Sequence, residues 1–366
     1  MSAKAVKRVR VGLIGAGSIG RAHAAAIVKA GGDLVAIADA NAAAAQALAG
    51  QHKVPTAVSD YRQLLKQADI DAVSIALPNY LHAPVALAAL AAGKHVLCEK
   101  PMAMNVAECK RINAAAARAK RVFQVGLHHR HVAECRAAKD MIVAGKLGKV
   151  YHAMVHAVRR RGVPGRGGWF TTRAKAGGGP MADIGVHMLD LTLWLMGHPR
   201  PVAVSAQTYR KFIHRDDYTC TGMWSAPVPG GPTDVEDYIV ALIRFAGGAT
   251  VTLECCWAAN VTANLWQTQV LGDKAGVMVK PNDSLTIAGQ DGMLLTDTVP
   301  QIVKSEPFPS EFAGFLAACR AGKGPAAPSA NGAQGQYIQA VIDAVYKSAR
   351  AGKEVRINPA DVPKIA

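Results

Sequence analysis

Residues 9–20 read Val9-Arg10-Val11-Gly12-Leu13-Ile14-Gly15-Ala16-Gly17-Ser18-Ile19-Gly20, an apolar strand that runs into a glycine-rich turn and the opening of a helix. That context gives meaning to a fingerprint that is weak alone. Gly15 permits the tight turn, Gly17 lets a pyrophosphate approach the backbone, and Gly20 lets helix pack closely on strand. The phosphates then sit on the N–H groups of the helix N-terminus, at Ser18, Ile19 and Gly20. Asp39 ends the second predicted strand, 19 residues after Gly20. A carboxylate there accepts hydrogen bonds from both hydroxyls of an adenosine ribose and repels a 2′-phosphate. Neither Ala40 nor Asn41 supplies a cation to offset that repulsion, so NAD is favoured over NADP.

The rhythm begun at residue 9 continues. Strand candidates at Leu34–Ala38, Ala72–Ala76, His95–Cys98 and Val122–Val125 alternate with helical stretches at Ile19–Ala30, Ala42–Ala49, Tyr61–Lys66, Pro84–Ala92 and Val106–Ala119. Such βαβ alternation implies a doubly wound parallel sheet. After about residue 130 come a helix near Cys135–Ala144, an extended stretch Val150–Arg159, a Gly/Arg-rich loop and a helix from Met181 to Met196. Strand-like segments follow at Val202–Tyr209, Tyr238–Phe245, Thr250–Trp257, Leu265–Leu271 and Val277–Lys280, several separated by glycine turns. The expected fold is α/β: a Rossmann domain over residues 1–130, then an α+β domain over 131–366 built on a large, mostly antiparallel open sheet. Gly324–Gly332 reads as a linker, and helical apolar spacing over 334–351 suits a C-terminal helix packing back near the first domain.

Composition agrees with two domains: 366 residues at about 150 per domain, half of them apolar. The longest uncharged stretch, Ala72 to Gly93, is broken by Pro78, Asn79, His82 and Pro84, so no membrane span is expected. The basic N-terminus lacks the apolar core of a secretory signal, which makes the cytoplasm the expected location. Seven cysteines at irregular positions (98, 109, 135, 220, 255, 256, 319), without a CxxC pair, form neither a disulfide framework nor a zinc site. Forty-two basic against 26 acidic residues leave a net charge of +16. Outside Arg159-Arg160-Arg161 the basic residues are dispersed and aromatics make up only 5%, so the charge serves solvation and no nucleic-acid partner is expected.

Leu77-Pro78-Asn79-Tyr80-Leu81-His82 and Glu99-Lys100-Pro101 each follow a predicted strand, at the carboxyl edge of the sheet where a ligand crevice forms. Leu77, Pro78, Asn79, His82, Glu99, Lys100 and Pro101 are therefore candidate cofactor contacts. Gly177-Gly178-Gly179-Pro180 leads into Asp183, His187 and Asp190, which project from one helix face. Asp183 and His187 make a candidate acid–base pair, while the same spacing also suits a pair that only steadies the helix.

The glycine turn, the Glu-Lys-Pro motif and the Gly-Gly-Gly-(x)3-Asp-(x)3-His helix, in this order, resemble the Gfo/Idh/MocA oxidoreductase family across nearly the whole chain. The resemblance implies an N-terminal Rossmann domain and a C-terminal domain whose open sheet often mediates homodimers or homotetramers. It also implies catalytic roles for Lys100, Asp183 and His187. Oxidising a secondary alcohol needs a base for the hydroxyl proton, for which His187 titrates in the right range, and a cation such as Lys100 to stabilise the developing alkoxide.

The expected function is NAD-dependent oxidation of a secondary hydroxyl of a sugar, sugar derivative or cyclitol. The alternatives are a redox-neutral glycosidase that recycles bound NAD and a non-catalytic sugar or cofactor sensor on the same fold. Candidate substrate contacts are Lys100, His128, Arg159, Trp169, Asp183, His187 and Tyr238. Arg159 suits a hydroxyl, carboxylate or phosphate group or a solvated loop, and Trp169 suits stacking on a sugar or anchoring its loop. His128, His129 and His131 end the fifth predicted strand. Strand alternation points His128 and His129 to opposite faces, so no metal site is expected.

Overall fold

The structure is a computed structural model that describes residues 8–215, 217–218 and 226–365. Its first unit alternates β1 (Arg10–Ile14), α1 (Ser18–Lys29), β2 (Asp33–Ala38), α2 (Ala42–His52), β3 (Thr56–Val58), α3 (Tyr61–Leu65), β4 (Ala72–Ile75), α4 (His82–Ala91), β5 (His95–Glu99), α5 (Val106–Ala119) and β6 (Phe123–Gly126). The strands pair in parallel in the order β6-β5-β4-β1-β2-β3. The order reverses beside β1, which opens a crevice at the carboxyl ends of β1 and β4. Val11, Leu13, Ile37, Val73, Ile75, Val96 and Leu97 are buried, the continuous apolar runs that a sheet covered on both faces demands.

The second unit contains α6 (Ala133–Val143), β7 (Val150–Val158), α7 (Arg173–Ala176), α8 (Val186–Leu195), β8 (Pro201–Tyr209), β9 (Tyr238–Phe245), β10 (Thr250–Cys256), β11 (Leu265–Gly272), β12 (Gly276–Lys280), β13 (Ser284–Asp291) and β14 (Leu294–Thr298). It is followed by α9 (Pro307–Ala321), β15 (Ala330–Asn331), α10 (Gly332–Ala351) and β16 (Val355–Arg356). Nine strands lie in the order β14-β13-β12-β11-β7-β10-β9-β8-β16, antiparallel except for β7 beside β10. One face takes α8, buried along its whole length, together with α6 and α10. Along β9, Ile239, Ala241, Ile243 and Phe245 face that core, whereas Val240 and Leu242 stay half-buried on the open face.

Residues 307–331 return to the first unit, which a division after residue 130 does not allow for. Phe312, Phe315 and Leu316 of α9 share a buried cluster with Val11, Leu13, Ile27 and Ile37. The stretch expected to be a linker contains β15, which pairs antiparallel with β6 as a seventh strand. Helix α10 then packs on both α5 and β8 and so spans the two units.

Of the seven cysteines, Cys98, Cys109, Cys135, Cys255 and Cys256 are buried and free, Cys319 is half-buried and free, and Cys220 lies outside the described residues. Among the described residues no helix is long and apolar enough to cross a membrane.

Candidate active site

The glycine turn behaves as its three positions require. Gly15 sits at φ +107°, and a Cβ on it would lie 2.1 Å from the Ala76 carbonyl oxygen. A Cβ on Gly20 would meet the Gly15 carbonyl oxygen at 2.0 Å, so only glycine allows α1 to start this close to β1. Gly17 has open space above it and caps α1 without a side chain, and the first turn of α1 carries no acid. This cradle fits a dinucleotide pyrophosphate. Asp39 accepts from Ala16 N at 2.7 Å and from Asn41 N at 2.8 Å, which fixes its carboxylate beside the turn with lone pairs left for hydroxyls. Ser18 and Ile19 are exposed at the mouth of the crevice.

Lys100 directly follows β5, two strands and about 10 Å from β1. Its Nζ donates to the Asp183 main-chain oxygen at 2.8 Å and pairs with Asp183 Oδ1 at 3.3 Å. The other Asp183 oxygen, Oδ2, accepts from Trp257 Nε1 at 3.0 Å. Asp183 thus spends both oxygens on Lys100 and Trp257. Glu99 beside it is buried: Oε1 pairs with His23 Nε2 at 3.0 Å and Oε2 accepts Lys100 N. Burial pushes the Glu99 carboxyl up, but the hydrogen bond and charge of His23, with Lys100 and His82, hold it below its usual range.

Asp183 stands in a π-helical turn, Met181–Gly185, rather than in the single regular helix expected from Met181 to Met196. Such turns concentrate at functional sites. The preceding glycines let it pack: a Cβ on Gly178 would lie 1.9 Å from Tyr346 Oη, and one on Gly179 2.1 Å from the Glu236 main-chain oxygen. Buried Glu236 Oε1 accepts from Gly179 N at 2.9 Å and Tyr346 Oη at 2.7 Å, pinning the turn from below.

His187, in the first turn of α8, packs against His128 (ring centroids 5.0 Å apart) and His129 (4.8 Å). Burial, then the charges of Lys100, the two other histidines and Arg159, hold its imidazole well below the usual range. It is therefore neutral at pH 7, with a lone pair free for a proton. The expectation that His128 and His129 point to opposite faces is corrected: β6 ends at Gly126 and residues His128–His131 form a 3-10 turn, so both rings face His187. One ring nitrogen from each of the three lies within 4.8 Å of the others. Arg130 between them is fully buried and forks onto Asp190, Nε to Oδ2 at 2.8 Å and Nη2 to Oδ1 at 2.5 Å. Asp190 thus leaves the set formed by Asp183 and His187 and ties the 3-10 turn to α8.

Three expected contacts take other places. His82 is fully buried with its ring nitrogens against the Pro101 and Leu77 carbonyls, at 2.7 and 2.8 Å, so it clamps two crevice loops together instead of facing a cofactor. Asn79 donates to the Ala176 carbonyl at 2.8 Å and ties the crevice to the second unit. Tyr238 donates to Glu254 Oε1 on the open face, opposite Cys255, whose thiol donates to the Pro180 carbonyl beside the π turn; Tyr238 thus points away from Asp183. Trp169 stacks on Phe170 at 3.7 Å. Arg159 is half-buried and reaches the Gly162 carbonyl at 3.4 Å, while Leu77 and Pro78 line the crevice half-buried. Trp257 joins the site without a sequence motif to mark it.

Residues 9–127 match the model of an oxidoreductase family with an NAD-binding Rossmann fold, and residues 135–294 match the GFO/IDH/MocA C-terminal domain. Over 359 residues the chain is 31% identical to D-glucoside 3-dehydrogenase of Escherichia coli (strain K12), covering 97% of this chain and 99% of that protein. It is 30% identical over 354 residues to 1,5-anhydro-D-fructose reductase of Ensifer adhaerens, covering 95% and 98%. Levoglucosan dehydrogenase solved in complex with NADH and levoglucosan superposes with a TM-score of 0.83 at 26% identity, covering 96% of this chain and 100% of that one.

Proposed function

From the chain's membership of the Gfo/Idh/MocA oxidoreductase family, we propose that it oxidises a ring secondary hydroxyl of a pyranose sugar or sugar derivative, with NAD as the favoured cofactor. The observation that carries this reading is the meeting of Lys100, Asp183 and a neutral His187 beside the Gly15–Gly20 crevice. Relatives matched along nearly their full length are named D-glucoside 3-dehydrogenase and 1,5-anhydro-D-fructose reductase, whereas the inositol 2-dehydrogenases of Saccharopolyspora erythraea match 57% and 68% of the chain and that of Gluconacetobacter diazotrophicus 51%. The open face around Val240 and Leu242 is the surface through which the chain would assemble as a homodimer or homotetramer.

Gly15, Gly17 and Gly20 would hold the pyrophosphate of NAD and Asp39 its adenosine ribose; when bound, NAD supplies the hydride acceptor. His187 accepts the hydroxyl proton. Lys100, aimed by Asp183, donates to the substrate oxygen and steadies the negative charge that grows as the proton leaves. Trp257 and the Lys100 ammonium hold the Asp183 carboxylate from two sides, so the ammonium is fixed before substrate arrives.

The test is NADH formation with NAD, then NADP, against free pyranoses, sugar acids, anhydrosugars, inositols and glycosides. Lys100→Ala and His187→Ala are each expected to lower kcat/KM by about 10²- to 10⁴-fold. Turnover that persists in either variant overturns the acid–base assignment. Cleavage of a glycoside without net NADH replaces the dehydrogenase with the redox-neutral reaction, and sugar binding without turnover replaces it with a sensor.

A further inference from the structure

We propose that His128, His129 and His187 form a three-imidazole site for one divalent transition-metal ion, and that filling it switches off proton abstraction by His187. The second half of this proposal rests on the dehydrogenase reading; the first does not.

Nδ1 of His128, of His129 and of His187 are all buried, and none has a hydrogen-bond partner. A buried polar nitrogen left unpaired costs about 1–3 kcal/mol, and three of them in one cluster is a concentration that ordinary packing avoids. These atoms are almost wholly shielded from the crevice, which turns them toward one another rather than toward a sugar. One ring nitrogen from each of the three residues lies within 4.8 Å of the others, close enough for all three rings to turn toward a single ion. Zn–N bonds of about 2.0–2.1 Å at tetrahedral angles place ligand nitrogens roughly 3.4 Å apart.

The donor set selects the metal class. Three imidazoles without a carboxylate suit Zn²⁺, Co²⁺, Ni²⁺ or Cu²⁺ and not Mg²⁺ or Ca²⁺. Phe308 stacks on His128 at 4.3 Å and Trp266 packs at 5.7 Å from His129, giving the rings an apolar surround. Lys100 opposes a cation here, but its charge is paired with Asp183. Arg130–Asp190 fixes the 3-10 turn against α8, so the three ligands come from two elements already held in place.

A neutral imidazole has one lone pair in the ring plane, because its other nitrogen carries hydrogen. A metal on either nitrogen of His187 therefore consumes the lone pair that would accept the substrate proton. Metal and substrate proton compete for a single site of basicity.

Titration calorimetry of the full-length, cofactor-free chain with ZnCl2 tests the binding, and the visible absorption of Co²⁺ tests the nitrogen environment. One ion per chain is expected, with His128→Ala and His129→Ala each weakening it at least about 10-fold. His129→Gln, a near-isosteric change, repeats the test if His129→Ala does not fold, and NAD binding reports folding in all variants. In the activity assay, Zn²⁺ is expected to suppress NADH formation and EDTA to restore it. Absence of stoichiometric binding, or equal binding in the His129 variants, overturns the site. Binding lost in the variants but without effect on NADH formation overturns the switch. If no pyranose yields NADH at all, the dehydrogenase reading falls while calorimetry still decides the metal site.

Discussion

Trp257 shows what a single residue contributes when it never touches the reacting atoms. Its indole N–H is the only side-chain donor to Asp183 Oδ2 given by the described residues, and it lies 74 positions from the carboxylate it serves. A hydrogen bond to a charged group contributes about 1.5–3 kcal/mol. Trp257→Phe is expected to lower kcat about 10-fold or more while leaving NAD affinity unchanged; a fall in KM-linked binding alone, with kcat intact, would show that Asp183 needs no such anchor. The turn at Gly15–Gly20 is legible in the sequence because each of its glycines has a mechanical reason, whereas Lys100, Asp183 and His187 stand out only through the order of motifs that resembles the family. Trp257 is not legible, since its pairing arises only when the end of β10 is laid against the Met181–Gly185 turn. His82 and Asn79 occupy the right loop, yet their polar atoms face inward to carbonyls, and no spacing rule distinguishes a loop histidine that clamps from one that binds.

Between elements, the junction of the 3-10 turn at His128–His131 with α8 decides the site's shape. The sequence carries the strand before that turn correctly, but a period of two persists only while the backbone stays extended. Once the chain leaves β6, neighbouring histidines share a face. The fully buried Arg130–Asp190 pair holds this junction. Removing one partner strands the other charge in a dry interior, at a cost of about 3–5 kcal/mol. Asp190→Ala is expected to lose that much in urea unfolding, and a loss below about 1 kcal/mol, the range of an exposed pair, would mean water reaches Arg130. Strand β14 escapes the sequence pattern because it is exposed throughout, with Leu294 and Leu295 facing solvent, and β13 because it mixes half-buried and exposed residues without a clean alternation. Helix α9 is masked by Pro307, Pro309 and Gly314, although proline is well suited to a first helical turn.

Over the whole molecule, several histidines are folded in their neutral form. Burial, then Arg130 and further positive charges, lower His131 to about 4 and His198 to about 3. Unfolding exposes these rings to ordinary titration near 6.5, so between pH 6.5 and 4 the unfolded chain binds more protons and stability is lost as the pH falls. Each contributes on the order of 3–5 kcal/mol to that loss by the time pH reaches its folded value. Glu311 works the other way, because burial holds its carboxyl well above the usual range. The expected outcome is therefore a difference: His198→Gln should show a smaller drop in unfolding free energy between pH 7 and pH 4 than the parent chain, and an equal drop would show that His198 charges without cost. Two domains and their order are legible from rhythm alone; the return of α9 and β15 to the first sheet is not, because a core shared across some three hundred residues leaves no local signature. That return has a consequence for biosynthesis. Phe312, Phe315 and Leu316 leave the ribosome after nearly all of the second unit, so the nascent Rossmann half waits with part of its sheet bare, and a message cut short before α9 yields a polypeptide fit for chaperones rather than a smaller working protein.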